Sequence, residues 1–112
     1  MSKKEGLYLG RAGQLAVMSE FIVRGYNGAV PEVDVGEDVF VLEDKDAKVS
    51  RVQVKAATGR RLKSGILTAQ FNLRYDQLST PIKPELHYVL IVREANRWAE
   101  MVVIPGSSTT CT

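Results

Sequence analysis

The 112-residue sequence contains a single cysteine, Cys111, and a single histidine, His87. One thiol cannot close an intramolecular disulfide, and one cysteine with one histidine excludes the zinc sites that are built from these residues. The sequence also has neither a Gly-x-Ser-x-Gly elbow nor a Gly-x-x-x-x-Gly-Lys loop. These absences argue against a serine hydrolase and a P-loop nucleotide hydrolase, and we interpret His87 as a structural residue.

Long apolar stretches are missing as well. The longest purely aliphatic run covers residues 89–92, far short of the roughly 20 residues that a membrane-spanning helix needs. No apolar segment follows the charges at the N-terminus, so we expect no secretory signal. Hydrophobic residues make up 45% of the chain and charged residues 25%, which is typical of a globular domain. We therefore expect one cytoplasmic domain over residues 1–104 and a flexible polar tail over residues 105–112.

The charges are unevenly distributed, although the formal net charge is only +2. Residues 31–48 contain seven acidic residues and two lysines, a balance of −5, whereas residues 49–75 contain six basic residues and no acid, a balance of +6. Such neighbouring blocks fit strands that pair with each other. They equally fit an acidic cluster for cations beside a basic surface for phosphates.

Near the N-terminus, the spacing of the apolar residues predicts a helix over residues 11–24. Gly25 follows, where helices commonly end in a left-handed residue. At about 100° per residue, Gln14 lies on the inward side of this helix and Glu20 faces solvent. We expect five apolar residues to pack against the core: Leu15, Val17, Met18, Phe21 and Ile22.

The rest of the chain is predicted to form mainly strands. Residues 50–56 alternate between polar and apolar, so Gln53 and Lys55 share one face and Val52 and Val54 share the other. The other predicted elements are strands over residues 28–33, 39–42, 66–73, 87–93 and 97–104, a basic loop over 58–64 and one helical turn over 75–80. This pattern predicts an α+β fold in which the helix packs on one face of a mixed sheet.

The hairpin of residues 39–42 and 50–56 places an acid, an amide and a lysine together. Asp38 begins its first strand, and Gln53 and Lys55 share a face of its second. Carboxylate and amide oxygens suit hard divalent cations such as Mg²⁺. Lys55 is then placed to position a water or to balance charge on a phosphate. A cross-strand ion pair explains the same pattern without any chemistry.

Several features follow one another in a characteristic order: Gly13-Gln14 on the helix, Gly25-Tyr26, an acidic segment ending at Asp38, a hairpin, and Arg51-Val-Gln-Val-Lys55. This order resembles the PD-(D/E)xK nuclease superfamily, and in particular its small bacterial members that are similar to archaeal Holliday-junction resolvases and to Mrr-type restriction nucleases. The resemblance covers residues 6–57, and the strands near 87–104 fit it more loosely. It implies a restriction-endonuclease-like fold, hydrolysis of DNA that depends on Mg²⁺ or Mn²⁺, and a homodimer.

The resemblance also implies roles for individual residues. Asp38 corresponds to the metal-binding acid of the family, Gln53 to the second acid of its motif and Lys55 to the motif lysine. Gln14 corresponds to a glutamate that the family often carries on its first helix. Asp38 and Gln53 would then hold the metal, Lys55 would position or activate the attacking water, and Gln14 would support the substrate or the water.

Gln14 and Gln53 depart from the family pattern, in which acids stand at these positions. The Mrr-like branch carries the change at the position of Gln53 and remains active. Losing two negative charges should weaken Mg²⁺ binding, which leaves open a catalytically lapsed domain that binds nucleic acid or regulates a partner. Glu32 and Asp34 are candidates for compensating acids. The competing interpretations are that Asp34 shapes the turn before Gly36 and that Glu32 is solvated. The second core helix of the family is reduced or missing here, so a partner subunit is expected to cover that face of the sheet.

The basic loop carries Arg60, Arg61 and Lys63, and Arg11 lies at the predicted start of the helix. Contacts between these side chains and DNA phosphates would make binding depend on salt. An ordinary solvated loop is the competing interpretation. Core packing is the expected role of Tyr88 and Trp98, because both lie within predicted strands. The apolar runs over residues 89–92 and 101–104 fit either the core or a dimer interface. A plain interaction module, in which the acidic and basic blocks pair internally, is the third functional hypothesis.

Overall fold

The computed structural model describes residues 2–33, 36–73 and 86–105. Within these ranges it consists of one helix packed on a mixed five-stranded sheet, together with a short two-stranded sheet, and this confirms the predicted α+β fold. The elements are α1 (Lys3–Val23), β1 (Asn27–Ala29), β2 (Asp38–Glu43), β3 (Lys48–Thr58), β4 (Arg60–Arg61), β5 (Leu67–Thr68), β6 (Leu86–Glu94) and β7 (Arg97–Pro105). The predicted helical turn over residues 75–80 and the tail from residue 106 onward lie outside the described residues.

The main sheet has the strand order β1-β2-β3-β6-β7. The pairs β1–β2, β2–β3 and β6–β7 are antiparallel, and β3 pairs with β6 in parallel at the centre. β1 lies at an edge of the sheet, as Pro31 predicts. The predicted strand over residues 66–73 is wrong, because only Leu67–Thr68 pairs, with Arg60–Arg61 of β4.

Helix α1 begins eight residues before its predicted start. Ser2 caps it, because its hydroxyl oxygen accepts a hydrogen bond of 3.1 Å from the backbone N–H of Glu5. Ser2-Lys-Lys-Glu5 is a capping-box sequence, and this signal outweighs the low helix propensity of Gly6 and Gly10. At the other end Gly25 has φ +98°, and the N–H of Tyr26 bonds to the carbonyl of Phe21, which completes the predicted left-handed end.

The helix packs through a line of residues that differs from the predicted apolar stripe. Its buried residues are Gly13, Gln14 and Val17, whereas Leu15 is 42% exposed and Ile22 is 52% exposed. A Cβ atom added at Gly13 would lie 2.8 Å from Cβ of Ala56. Because Gly13 has no side chain, the side of the helix that carries Gly13 comes closest to β3. Leu15 and Ile22 therefore point away from the sheet.

One core lies between α1 and the sheet. Its buried members are Val17, Val39, Val41, Val52, Val54, Val89 and Ile91, with Met18, Phe21 and Trp98 packed against it. Val52 and Val54 therefore face the helix, and Gln53 and Lys55 lie on the opposite face of β3, as the period of two predicts. Tyr88 pairs with Gln53 across the parallel ladder and is fully buried, which confirms its predicted structural place. No helix among the described residues is long and apolar enough to cross a membrane.

Candidate active site

The β2–β3 hairpin brings Asp38 and Gln53 into direct register. Opposite residues of an antiparallel pair project from the same face of a sheet, so the acid and the amide are neighbours. Both are nearly buried, with exposures of 5% for Asp38 and 7% for Gln53. Lys55 follows two residues later on the same face and is half-buried. The structure thus brings together three of the four predicted catalytic residues on one face, which we call the site face.

Gln14 reaches the same strand from the helix side. Its Nε2 donates a hydrogen bond of 2.8 Å to the backbone carbonyl of Asp38, and its Oε1 accepts one of 2.7 Å from Nη1 of Arg11. The side chain is fully buried. A glutamate here would direct a carboxylate oxygen at the carbonyl of Asp38, with no proton to donate. The amide is therefore suited to joining α1 to the first residue of β2. The same amide also binds the side chain of Arg11.

Asp38 has a cationic neighbour that the sequence did not single out as its partner. Nη2 of Arg51 lies 3.0 Å from Oδ2 of Asp38. Arg51 lies diagonally across the hairpin, because Asp38 is directly opposite Gln53 and Arg51 is two residues before it. The cross-strand ion pair weighed as the simple explanation of the pattern does form, and Arg51 rather than Lys55 supplies its cation.

The amide of Gln53 is held at one end only. Its Nε2 donates to the carbonyl of Gly36 at 3.3 Å, and a Cβ added at Gly36 would lie 2.6 Å from the same nitrogen. Its Oε1 is buried and has no hydrogen-bond partner among the described residues. A buried acceptor without a partner is unusual in folded proteins and marks a place for a ligand or a water.

The donor atoms of this site are of the chemical type that a hard divalent cation binds. The carboxylate of Asp38 and the unsatisfied Oε1 of Gln53 are oxygen donors on adjacent strands, as Mg²⁺ prefers. Among the described residues, no group of three or more histidine, cysteine, aspartate or glutamate side chains is placed to hold a metal ion. Of the two acids considered as substitutes, Glu32 is exposed and Asp34 lies outside the described residues.

Glu37 is a further acid near the site that the sequence reasoning missed. Its backbone carbonyl accepts a hydrogen bond of 3.1 Å from the N–H of Val54, between Gln53 and Lys55. Its carboxylate lies against the helix, 3.2 Å from where a Cβ of Gly10 would be. Gly10 lowers the helix propensity of α1, but because it has no side chain it leaves room for this carboxylate.

The predicted phosphate-binding residues lie in different settings. Arg60 and Lys63 are exposed. Arg61 makes two hydrogen bonds to the carboxylate of Glu94, of 2.7 Å and 2.9 Å, and a third of 2.9 Å to the carbonyl of Gly65. Arg61 therefore joins the β4–β5 hairpin to the end of β6, whereas Arg60 and Lys63 keep their charges toward solvent.

The hydrogen bonds from Arg61 lower the pKa of Glu94 below its usual 4.5, and they raise the pKa of Arg61 in turn. A carboxylate with a lowered folded-state pKa stabilises the fold above its unfolded pKa, and this contribution is lost as the pH falls through the folded value. We expect Glu94→Gln to lower the hydrogen-exchange protection of the β4–β5 hairpin at neutral pH, with a smaller effect at the β6–β7 turn, where Arg97 lies 3.5 Å from Glu94.

The difference between Glu94→Gln and the parent should vanish in acid, once Glu94 of the parent is protonated. Glu32→Gln, at an exposed position, serves as the control and should leave protection unchanged. Equal protection of the hairpin in parent and Glu94→Gln at neutral pH would contradict this assignment.

The chain was compared with protein-family models, with curated proteins and with solved structures, and no significant match was found in any of the three comparisons.

Proposed function

We propose that this protein is a nuclease of the PD-(D/E)xK type, which hydrolyses phosphodiester bonds in DNA with Mg²⁺ or Mn²⁺. The observation that carries the proposal is the placement of Asp38, Gln53 and Lys55. The acid and the amide are in register on adjacent strands, and the lysine follows on the same face. The resemblance of residues 6–57 to this superfamily assigns metal binding and water activation to these same three positions.

In this proposal Asp38 and Gln53 hold the divalent cation, and the unsatisfied Oε1 of Gln53 supplies a neutral ligand. When bound, such a cation lowers the pKa of water and polarises a phosphoryl oxygen. Lys55 donates hydrogen bonds from its ammonium group, which positions the attacking water or stabilises the charge that develops on the phosphate. Gln14 keeps the backbone of Asp38 in place through its hydrogen bond to the carbonyl of that residue.

Contacts with the DNA backbone are assigned mainly to Arg60 and Lys63, because both are exposed. Arg61 and Arg11 contribute more weakly, since Glu94 and Gln14 already bind them. Exposed cations that contact phosphates release counterions, so the binding should weaken as the salt concentration rises.

A second function is favoured by the charge of the site. Among Gln14, Asp38 and Gln53 there is a single carboxylate, and Arg51 already neutralises it. A site with this charge is also suited to binding a phosphate without breaking its ester bond. The alternative is therefore a nuclease-fold protein that binds or regulates nucleic acid after losing its chemistry.

A cytoplasmic location and a homodimer also belong to the proposal. Val89, Ile91 and Val92 of the apolar run on β6 are buried within the chain, so they serve the core. Val102 and Val103 on the edge strand β7 are about half exposed. Sedimentation of the purified protein at several concentrations measures whether a dimer forms.

The proposal is tested by nicking of supercoiled and branched DNA in Mg²⁺ and Mn²⁺, with chelator as the blank. We expect the parent to cleave and Lys55→Ala to lose about 100-fold or more in rate, as removal of one electrostatic catalytic group commonly does. Lys48→Ala is the matched control, because Lys48 is an exposed residue at the start of the same strand, and it should cleave like the parent.

Two results would contradict the catalytic proposal. One is cleavage by Lys55→Ala at the rate of the parent. The other is no metal-dependent cleavage by the parent, and if salt-sensitive DNA binding were retained in that case, it would support the lapsed site.

A further inference from the structure

Arg51 lies beside the proposed metal-binding carboxylate, in the position of its counter-ion. Nη2 of Arg51 is 3.0 Å from Oδ2 of Asp38. The side chain of Asp38 is 7% exposed and that of Arg51 is 28% exposed. The carboxylate is therefore buried, and the arginine is the member of the pair that contacts solvent. Water screens such a pair less than it screens a pair at the surface.

Within this pair, Nε of Arg51 is buried without a hydrogen-bond partner among the described residues, and so is Oε1 of the adjacent Gln53. One is a donor and the other an acceptor, and their residues lie two apart on the site face of β3. Unsatisfied buried polar atoms are rare. A phosphate oxygen would satisfy the donor of Arg51, and a cation would satisfy the acceptor of Gln53.

The formal charges of Asp38, Arg51 and Lys55 favour one order in which such ligands bind. Asp38 contributes −1, and Arg51 and Lys55 contribute +2, so the three residues carry +1 in total. This charge opposes a divalent cation and attracts a phosphodiester, and a bound phosphodiester brings the total to zero. Guanidinium groups bind phosphates in planar, paired geometry, so Arg51 has a second partner available once DNA is present.

We propose that Arg51 is an exchangeable counter-ion for Asp38, which couples the binding of DNA to the binding of the divalent cation. Without DNA, Arg51 neutralises Asp38 and keeps the cation affinity low. With DNA, Arg51 turns to a backbone phosphate, and its positive charge no longer opposes a cation at Asp38. This inference rests on the proposed function, and it gives Arg51 a role in binding phosphate and controlling cation affinity.

The test measures Mn²⁺ binding to the DNA-free protein from the electron paramagnetic resonance of the free ion, at a pH well above the ordinary carboxylate pKa. We expect Arg51→Met to bind Mn²⁺ about tenfold more tightly than the parent does, a typical size for coupling between two ligands. Arg51→Lys keeps the charge and should bind weakly, like the parent. Arg24→Met removes an arginine from an exposed ion pair with Glu20 and should leave Mn²⁺ binding unchanged.

The coupling is measured separately, through the affinity for a phosphorothioate duplex that resists hydrolysis. Because coupling between two ligands is reciprocal, Mn²⁺ should tighten duplex binding by the parent and leave duplex binding by Arg51→Met unaffected. If Arg51→Met does not fold, as judged by circular dichroism, Arg51→Gln makes the same change of charge.

The outcomes separate this inference from the proposed function. If the parent cleaves DNA and Arg51→Met binds Mn²⁺ no more tightly than the parent, Arg51 is merely structural and the nuclease proposal stands. If neither protein binds Mn²⁺ and the parent does not cleave, the metal site and the inference are both wrong.

Discussion

Replacing Asp38 with asparagine is expected to reduce metal-dependent cleavage by about 100-fold or more, the scale of losing one preorganised electrostatic group. Asparagine keeps the shape of the side chain and one of its oxygens, but it removes the single negative charge among Gln14, Asp38 and Gln53. The amide of Gln53 and the new asparagine would then face a divalent cation beside Arg51, which lies 3.0 Å from Oδ2 in the parent. The measurements are the nicking rate and the Mn²⁺ affinity.

The same substitution should also affect stability, because it leaves the guanidinium of Arg51 without its carboxylate. Losing the partner of a buried polar group costs roughly 1–3 kcal/mol, and the lower end applies because Arg51 can turn toward solvent. We expect a modest fall in the melting temperature, with the protein still folded at the temperature of the assay. The loss of cleavage would then be a property of the site.

Asp46→Asn is the matched control. Asp46 lies in the exposed turn between β2 and β3, where its Oδ1 accepts a hydrogen bond of 3.2 Å from the N–H of Lys48, and asparagine can make the same bond. This variant should cleave at the rate of the parent. Full cleavage by Asp38→Asn would show that the carboxylate does not hold the metal, and the catalytic proposal would fail.

Gly13→Leu is expected to cause the largest loss of stability in the chain. Even a Cβ at this position would lie 2.8 Å from Cβ of Ala56 and 3.1 Å from Cγ2 of Ile91. Overpacking by single methylene groups costs about 1–3 kcal/mol, and a leucine adds four carbons where the helix touches the sheet. Total stabilities of about 5–15 kcal/mol are typical, so we expect the melting transition to be strongly lowered or lost.

The neighbouring residue offers a control with the same new side chain. Ala12 is exposed, so Ala12→Leu should change the free energy of unfolding by no more than about 0.5 kcal/mol. A smaller exchange tests the contact itself, because Gly13→Ala combined with Ala56→Gly moves one methyl group from the sheet to the helix. The double variant should be more stable than the sum of the single changes by about 1 kcal/mol. Additive effects would show that the two residues do not compete for the same space.

Much of the local structure follows from the sequence, because the signals are local. The alternation of residues 50–56 correctly separates Val52 and Val54 from Gln53 and Lys55, and Gly25 correctly ends the helix. The inward direction of Gln14 follows from helical geometry and is confirmed by its burial. The capping-box sequence Ser2-Lys-Lys-Glu5 also marks the true start of the helix, but the apolar spacing used for the prediction begins only near residue 11.

The failures concern contacts between elements. Leu15 and Ile22 belong to the apolar stripe, yet both are largely exposed, because Gly13 rather than a large side chain sets the closest approach of helix and sheet. The strand predicted over residues 66–73 shortens to Leu67–Thr68, because a strand needs a partner as well as a suitable composition. Neither outcome is encoded in the spacing of residues within one segment.

The sequence by itself determines that Asp38, Gln53 and Lys55 come together, because a hairpin and a period of two suffice to place them on one face. Only the tertiary structure decides that Arg51 and not Lys55 pairs with Asp38, since both cations lie two residues from Gln53, which is directly opposite Asp38. It also decides that Gln14 binds the backbone of Asp38 rather than its carboxylate. Local patterns fix which way a side chain points, whereas the partner it meets depends on how separate elements pack.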